Sequence, residues 1–254
     1  YGGSYGADAT SSTITMNGGT LYAVIGGGGM DASVETATIT INGGTLTYGV
    51  AAGGYCGTLN ATSVDVMKNY NYVGTATITI NGGDIGQAIA GGFQSYAYVE
   101  SSTMNIKGGD FGNIIAGGVN GYTAKSVVTI DAAEGADINA SLVSTANRGE
   151  IADATITIVD LGSGSIDTVA VGVLESTTST DGGPNGVVDK LDLTIYESIK
   201  INNGVYLGAA SWDAGKHNPW DTTTENALVK ADLTINTPGR TIIACDYDEV
   251  EPDT

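Results

Sequence analysis

Basic residues are scarce in this chain of 254 residues. Nine Lys and Arg residues stand against 28 Asp and Glu residues, which gives a formal net charge of −19. Proteins bind nucleic acid through clustered Lys and Arg that neutralise phosphates, and anionic membranes attract basic segments for the same reason. The composition therefore argues against nucleic acid and anionic membranes as partners. It suits an extracellular protein, or one that attracts cations.

Histidine, proline and cysteine are also rare. The single histidine, His217, excludes a His-rich zinc site and argues against a Ser-His-Asp triad. Only 4 prolines occur, which argues against a disordered chain rich in Pro and Gly. Cys56 and Cys245 lie near opposite ends of the repeats described below, so we expect no disulfide bond between them.

Long apolar runs are missing as well. No run approaches the roughly 18 residues of a transmembrane helix, so we expect no membrane insertion. No basic segment followed by an apolar run opens the chain, so we see no signal peptide. The first residues, YGGSYGADATSSTITM, resemble the tail of one repeat that runs into the next. We therefore expect a piece of a longer protein or a processed chain.

What the chain does contain is a repeat. Residues 77–92 read TITINGGDIGQAIAGG, and near copies stand at 38–54 and 13–29. Successive starts of the TITI segment are 25, 39, 26, 24, 28, 37 and 40 residues apart, which a base period near 25 with three insertions explains. The eight starts are Thr13, Thr38, Thr77, Thr103, Val127, Thr155, Asp192 and Asp232.

Within each repeat, apolar and polar residues alternate as in a half-buried strand. The predicted inward pairs are Ile14/Met16, Ile39/Ile41, Ile78/Ile80, Met104/Ile106, Val128/Ile130, Ile156/Ile158, Leu193/Ile195 and Leu233/Ile235. A glycine-containing turn follows, and then a second apolar pair at i and i+4. These second pairs are Leu21/Ile25, Leu46/Val50, Ile85/Ile89, Phe111/Ile115 and Ile138/Leu142.

The same residues at the same phase predict a solenoid, in which each coil lies on an equivalent coil and like residues stack. Helices are excluded because β-branched residues alternate with polar ones and paired glycines interrupt the repeats. A β-sandwich would not require the same phase in each unit. The sequence therefore predicts an all-β parallel β-helix (β-solenoid) of about eight coils, forming one domain over residues 1–254 and a rod roughly 38 Å long.

The TITINGG repeats, in a glycine-rich, acidic and lysine-poor chain, resemble the right-handed parallel β-helices of bacterial cell-surface adhesins and related extracellular proteins. The resemblance covers roughly residues 13–245. It implies a right-handed coil, a location outside the cell or at its surface, and a non-enzymatic structural or adhesive role. The expected partners are a glycan, a protein surface, or neighbouring copies of the chain.

Three insertions lengthen the repeats, at 55–75, 174–190 and 206–230. The third holds both tryptophans and the histidine, and it predicts a ligand-binding loop because exposed aromatic rings stack on sugars while carboxylates bind hydroxyl groups. The alternative is a loop folded back on the rod. The predicted binding residues are Trp212, Asp213, His217, Trp220 and Asp221.

The second insertion contains DGGPNGVVDKLD, which partly follows the pattern of a calcium-binding loop. Asp181, Asn185, Asp189 and Asp192 occupy loop positions 1, 5, 9 and 12, and Gly186 occupies position 6. Position 3 is a glycine without a side-chain oxygen, and a simple turn between strands is the alternative. We retain calcium as a possible cofactor at these four residues.

Other functions stay open. One is a carbohydrate-active enzyme resembling a polysaccharide lyase, or its binding module, with the 206–230 loop over a cleft. A glycosidase would need two carboxylates close together. Asp84 and Asp110 are predicted to stack in adjacent coils, but as turn residues. Another is a self-assembling filament subunit.

Ice binding is a further alternative. Thr-x-Thr segments are predicted to project outward in ranks like those of ice-binding β-solenoids. We expect Asn105, Val127, Asp192 and the first insertion to interrupt these ranks. Outward threonine is also an ordinary strand residue.

Tyrosines that follow the closing glycines predict either an aromatic contact strip or a stack that orders the loops. These tyrosines are Tyr5, Tyr55, Tyr96, Tyr98 and Tyr122.

Overall fold

The structure, a computed structural model, describes residues 2, 6–29, 32–54, 68, 71–93, 97–119, 121–147, 149–173, 188–196, 199–207 and 231–235. Cys56 and Cys245 lie outside these residues, so their expected separation stays a prediction.

Two parallel sheets make up the described chain, and the strands alternate between them along the sequence. The first sheet contains β1 (Ala9–Met16), β3 (Val34–Ile41), β5 (Tyr72–Ile80), β7 (Tyr98–Ile106), β9 (Tyr122–Asp131), β11 (Glu150–Asp160), β13 (Val188–Ile195) and β15 (Ala231–Ile235). The second contains β2 (Thr20–Ile25), β4 (Thr45–Ala51), β6 (Asp84–Ile89), β8 (Gly109–Ile115), β10 (Ile138–Ala146), β12 (Ile166–Val173) and β14 (Ile201–Leu207). This is the predicted all-β parallel solenoid.

The strand register of the first sheet follows the sequence repeat. Thr13 pairs with Thr38, Thr38 with Thr77, and the line continues in register to Asp232. All eight predicted starts therefore lie in one rank across the sheet. The insertions leave the coils before and after them in direct contact.

The core lies between the two sheets and consists of stacked aliphatic side chains. Ile41, Ile80 and Ile106 follow one another in register, and each is 0% exposed. The predicted inward pairs are buried in every strand from β3 to β13, while Ile14 in the outermost strand β1 is partly buried. Stacking identical residues buries each on both sides, which is how coils that cannot bury an apolar face alone are stabilised.

Eight of the ten residues in the predicted i, i+4 pairs of the second sheet are buried, including Leu46 and Val50, while Leu21 is exposed and Leu142 is partly buried. Leu21, in the outermost strand β2, is 49% exposed because only one neighbouring strand covers it. In β4 an extra residue shifts the register, since Leu46 pairs with Ile85 and Gly49 with Gln87. A bulge of this kind re-aims side chains. The ring of Tyr48, beside this bulge, lies 4.7 Å from the Phe93 ring by centroids.

The turns between the two sheets explain the repeated Asn-Gly-Gly. The second glycine has positive φ, with values of 100° at Gly44 and 120° at Gly83, which favour glycine over other residues. The asparagines form a ladder along the rod. Asn42 Nδ2 donates to Asn17 Oδ1 at 2.7 Å, and Asn81 Nδ2 donates to Asn42 Oδ1 at 2.7 Å.

Three described strands begin or end within the predicted insertions. Residues 72–75, 188–190 and 206–207 belong to β5, β13 and β14. Residues 72–75 and 188–190 begin their strands ahead of the TITI alternation, while residues 206–207 end β14. The remainder of the insertions lies outside the described residues, apart from Lys68 and residue 71.

Replacing Ile80 tests the stacked core. Ile80→Ala removes a side chain packed between Ile41 and Ile106, and we expect the free energy of unfolding to fall by about 2–5 kcal/mol. The matched control is Thr79→Ala on the outer face of the same strand, with an expected change of about 0.5 kcal/mol or less. Urea denaturation measures both, and equal losses would contradict the inward and outward assignment.

Replacing asparagines tests the ladder. Asn42 makes two side-chain hydrogen bonds in the ladder and Asn17 makes one. Each such bond contributes about 0.5–1.5 kcal/mol, with exposed bonds at the lower end. We expect Asn42→Ala to destabilise the protein about twice as much as Asn17→Ala, as measured by denaturation. A larger effect at Asn17 would be inconsistent with the ladder.

Candidate functional site

A groove of about 340 Å³ lies on the outer face of the second sheet. Its polar lining comes from β6, β8, β10 and the start of β12. The residues that line it are Asp84, Asp110, Phe111, Gly112, Asn139, Ala140, Ser141, Ser165 and Asp167.

Strand register builds this groove. Asp84 pairs with Asp110, and Asp110 pairs with Asn139, so three polar residues form a rank along the rod. Gly112, two residues beyond Asp110, leaves space beside the rank. A Cβ atom at Gly112 would lie 2.5 Å from the Gly86 carbonyl oxygen, so the close approach of the backbones requires glycine there.

Hydrogen bonds hold most of the polar groups in the groove. Asn139 Nδ2 donates to Asp110 Oδ1 at 2.8 Å, and the Ser165 amide donates to Asn139 Oδ1 at 3.1 Å. Asn202 Nδ2 donates to Asp167 Oδ1 at 2.7 Å. The exposed carboxylate of Asp84 makes no hydrogen bond or ion pair with the described residues. The groove therefore presents hydrogen-bond acceptors in fixed positions, with Asp84 free to accept from a ligand.

The sequence predicted only part of this groove. Asp84 and Asp110 were expected to stack, as they do, but as turn residues; both belong to strands, β6 and β8. Asn139, Ser165 and Asp167 were missed. Their outward positions at i and i+2 along successive second-sheet strands are the signal that identifies them.

The predicted aromatic loop cannot be compared with this groove. Trp212, Asp213, His217, Trp220 and Asp221 all lie outside the described residues. Their role in ligand binding stays a prediction.

The predicted calcium ligands are described only in part. Asp181 and Asn185 lie outside the described residues, while Asp189 and Asp192 both lie on β13. Asp192 Oδ2 lies 2.9 Å from Lys190 Nζ, which also approaches Asp153 Oδ1 at 3.4 Å. The hydrogen bond to Asp192 is the main cause that raises the pKa of Lys190, and the charge of Asp153 adds to the effect. Within the described residues, no group of three or more His, Cys, Asp or Glu side chains is placed to hold a metal ion.

Three tyrosines stack at the starts of successive strands. The ring centroids of Tyr72 and Tyr98 lie 5.8 Å apart, and those of Tyr98 and Tyr122 lie 5.1 Å apart, with interplanar angles of 16° and 11°. Tyr98 is 2% exposed, its hydroxyl donates to Glu100 Oε2 at 2.8 Å, and Lys68 Nζ lies 4.9 Å from its ring centroid. Burial and then the hydrogen bond to Glu100 raise the pKa of Tyr98. For Tyr98 and Tyr122 this geometry favours a stack that orders the chain rather than an aromatic contact strip. Tyr5, Tyr55 and Tyr96 lie outside the described residues.

Glu150 lies beside this tyrosine stack. It pairs with Tyr122 in register, and its side chain is partly buried. Burial is the main cause that raises the pKa of Glu150, and the charge of Asp189 adds to the effect. The ionised form of Glu150 is therefore unfavourable in the folded protein.

The outer face of the first sheet is the second candidate surface. The outward residues of β1, β3, β5 and β7 lie in three ranks with no register shift. We call these twelve residues the threonine array: Ser11, Thr13, Thr15, Thr36, Thr38, Thr40, Thr75, Thr77, Thr79, Ser101, Thr103 and Asn105. The first insertion does not interrupt the ranks, contrary to expectation, because Thr38 pairs directly with Thr77.

Comparisons with known proteins identify no relative of this chain. No protein-family model, no curated protein and no solved structure matches the chain. The resemblance to bacterial surface proteins therefore rests on the repeat residues alone.

The pKa of Glu150 predicts a pH dependence of stability. The pKa of the Glu150 carboxyl group is higher in the folded protein than in the unfolded chain. The stability that Glu150 contributes is therefore fully present below the unfolded pKa, and it is lost as pH rises through the folded pKa. Glu150→Gln keeps the neutral form at every pH. We expect this variant to be more stable than the wild type at pH 7.5, with the advantage disappearing below about pH 4.5.

Urea denaturation at pH 4 and pH 7.5 measures this difference. The matched control is Glu134→Gln, which removes the same charge from an exposed turn residue and is expected to show a smaller pH-dependent difference. An equal gain for Glu150→Gln at both pH values would contradict the role of ionisation.

Proposed function

We propose that this protein is a non-enzymatic, extracellular β-helical rod with a structural and adhesive role at a bacterial surface or appendage. The observation that supports this proposal is the parallel pairing of the first sheet, in which the eight repeat starts from Thr13 on β1 to Asp232 on β15 lie in one continuous rank. Coils stacked in this way form a rigid platform, and ligands can be contacted by side chains that repeat along its length.

The composition agrees with this role. The net charge of −19 keeps a protein soluble and separate from other acidic surfaces. Within the described residues, no helix is long and apolar enough to cross a membrane. We propose that the contacts are made by the outer surfaces of the rod.

The groove on the second sheet is the proposed place of glycan contact among the described residues. Carboxylate and amide oxygens accept hydrogen bonds from the hydroxyl groups of a sugar. The internal hydrogen bonds of Asp110, Asn139 and Asp167 hold these acceptors in position before a ligand arrives, which lowers the entropic cost of binding. Asp84 supplies the free carboxylate.

Substituting Asp84 tests glycan contact at the groove. On a glycan array, we expect the wild type to bind a hydroxyl-rich glycan and Asp84→Ala to weaken that binding about tenfold, the effect of a lost hydrogen bond to a charged group. Because the Asp84 carboxylate makes no hydrogen bond with the described residues, we expect the fold to be unaffected. Asp131→Ala is the matched control, since it removes an exposed carboxylate from the end of β9 on the first sheet.

Binding that Asp84→Ala and Asp131→Ala weaken equally would assign the effect to net charge and contradict the groove. Binding lost only in Trp212→Ala/Trp220→Ala would move the contact to the 206–230 loop and retain the adhesive function. Absence of binding to any glycan or surface protein would contradict the adhesive function, while a structural role would stand.

A further inference from the structure

The threonine array is free of charge in a strongly acidic chain. Its twelve residues are nine threonines, two serines and one asparagine, spread over four adjacent strands. Charged side chains enter these ranks from the fifth strand onward, where Lys125 follows Ser101 in register. Asp153, Lys190, Asp192 and Asp232 follow on later strands. The uncharged region is therefore a bounded part of the sheet.

The array repeats in two dimensions. Neighbouring strands are about 4.8 Å apart, and outward residues along one strand are about 6.7 Å apart. The register of β1, β3, β5 and β7 is continuous, so these two spacings hold over all twelve positions. Threonine is stiff at χ1, which fixes the positions of its hydroxyl and methyl groups relative to the backbone. The surface is thus a regular lattice in which nine positions carry a hydroxyl and a methyl group, Ser11 and Ser101 carry a hydroxyl group alone, and Asn105 carries an amide group at one corner.

The neighbouring asparagine ladder extends this lattice. Asn17, Asn42 and Asn81 follow the last outward threonines of β1, β3 and β5 and are joined by amide hydrogen bonds. These bonds fix the amide groups in a fourth rank that is uncharged beside β1, β3 and β5, while Lys107 takes the equivalent place after β7. The ladder therefore follows the same strand register as the array.

The chemistry of the array narrows its ligand. Sugar sites use aromatic faces and carboxylates, and the twelve positions contain neither. A charged polymer would require complementary charge, which the array also lacks. Hydroxyl groups at regular intervals hold bridging waters at regular intervals, and the methyl groups between them limit where those waters can lie.

We propose that the threonine array binds the ordered water lattice of an ice surface. The waters held by the hydroxyl ranks take positions that a growing ice face can incorporate, so the rod adsorbs through its first sheet. This activity is separate from the proposed glycan contact, because the groove lies on the second sheet.

Thermal hysteresis and inhibition of ice recrystallisation test this proposal on the purified chain. The test variant is Thr77→Lys, at the centre of the array, where Thr38 and Thr103 are its neighbours in register. The matched control is Thr155→Lys on β11, which lies in the same rank but outside the array. Circular dichroism and melting temperature verify that both variants fold.

We expect the wild type and Thr155→Lys to inhibit ice growth, and Thr77→Lys to lose most of that activity at an unchanged melting temperature. Wild-type activity equal to that of an unrelated acidic protein would overturn the proposal. Equal losses in the two lysine variants would also overturn it. So would binding to an insoluble crystalline polysaccharide that depends on Thr77 without any effect on ice, because the array would then recognise a sugar surface.

Discussion

Parallel stacking of one coil on the next is the interaction on which the whole structure depends. Each strand of the first sheet pairs with the equivalent strand of the next coil, so identical residues meet in the core, in the turns and on the outer face. A coil cannot bury its apolar residues alone, so its stability comes from its neighbours. The asparagine ladder, the tyrosine stack and the threonine array are consequences of the same register.

The repeat made this register predictable from the sequence. Strands that share a phase must align when coils stack, so the eight TITI starts gave the order and pairing of the first sheet and its buried isoleucines. The second sheet was less predictable because its repeats vary more. Only the structure reveals the extra residue of β4, and the exposure of Leu21 depends on an outermost position that the local sequence does not indicate.

The candidate surfaces were harder to predict than the fold. The groove joins Asp84, Asp110 and Asn139, which are 26 and 29 residues apart along the chain and meet only through register. The threonine ranks were visible in the sequence, but whether the first insertion displaced them depended on the path of the chain. The pairing of Thr38 with Thr77 means that an insertion can leave one face of a solenoid regular while lengthening its coil elsewhere.

The distance between two outward positions of the first sheet tests the stacking of coils most directly. Spin labels on Thr13→Cys and Asp192→Cys, with Cys56 and Cys245 replaced by serine, would span six strand spacings and two insertions. The in-register sheet predicts one narrow distribution near 29 Å, from about 4.8 Å per strand. A broad distribution, or a much longer distance, would contradict the continuous solenoid.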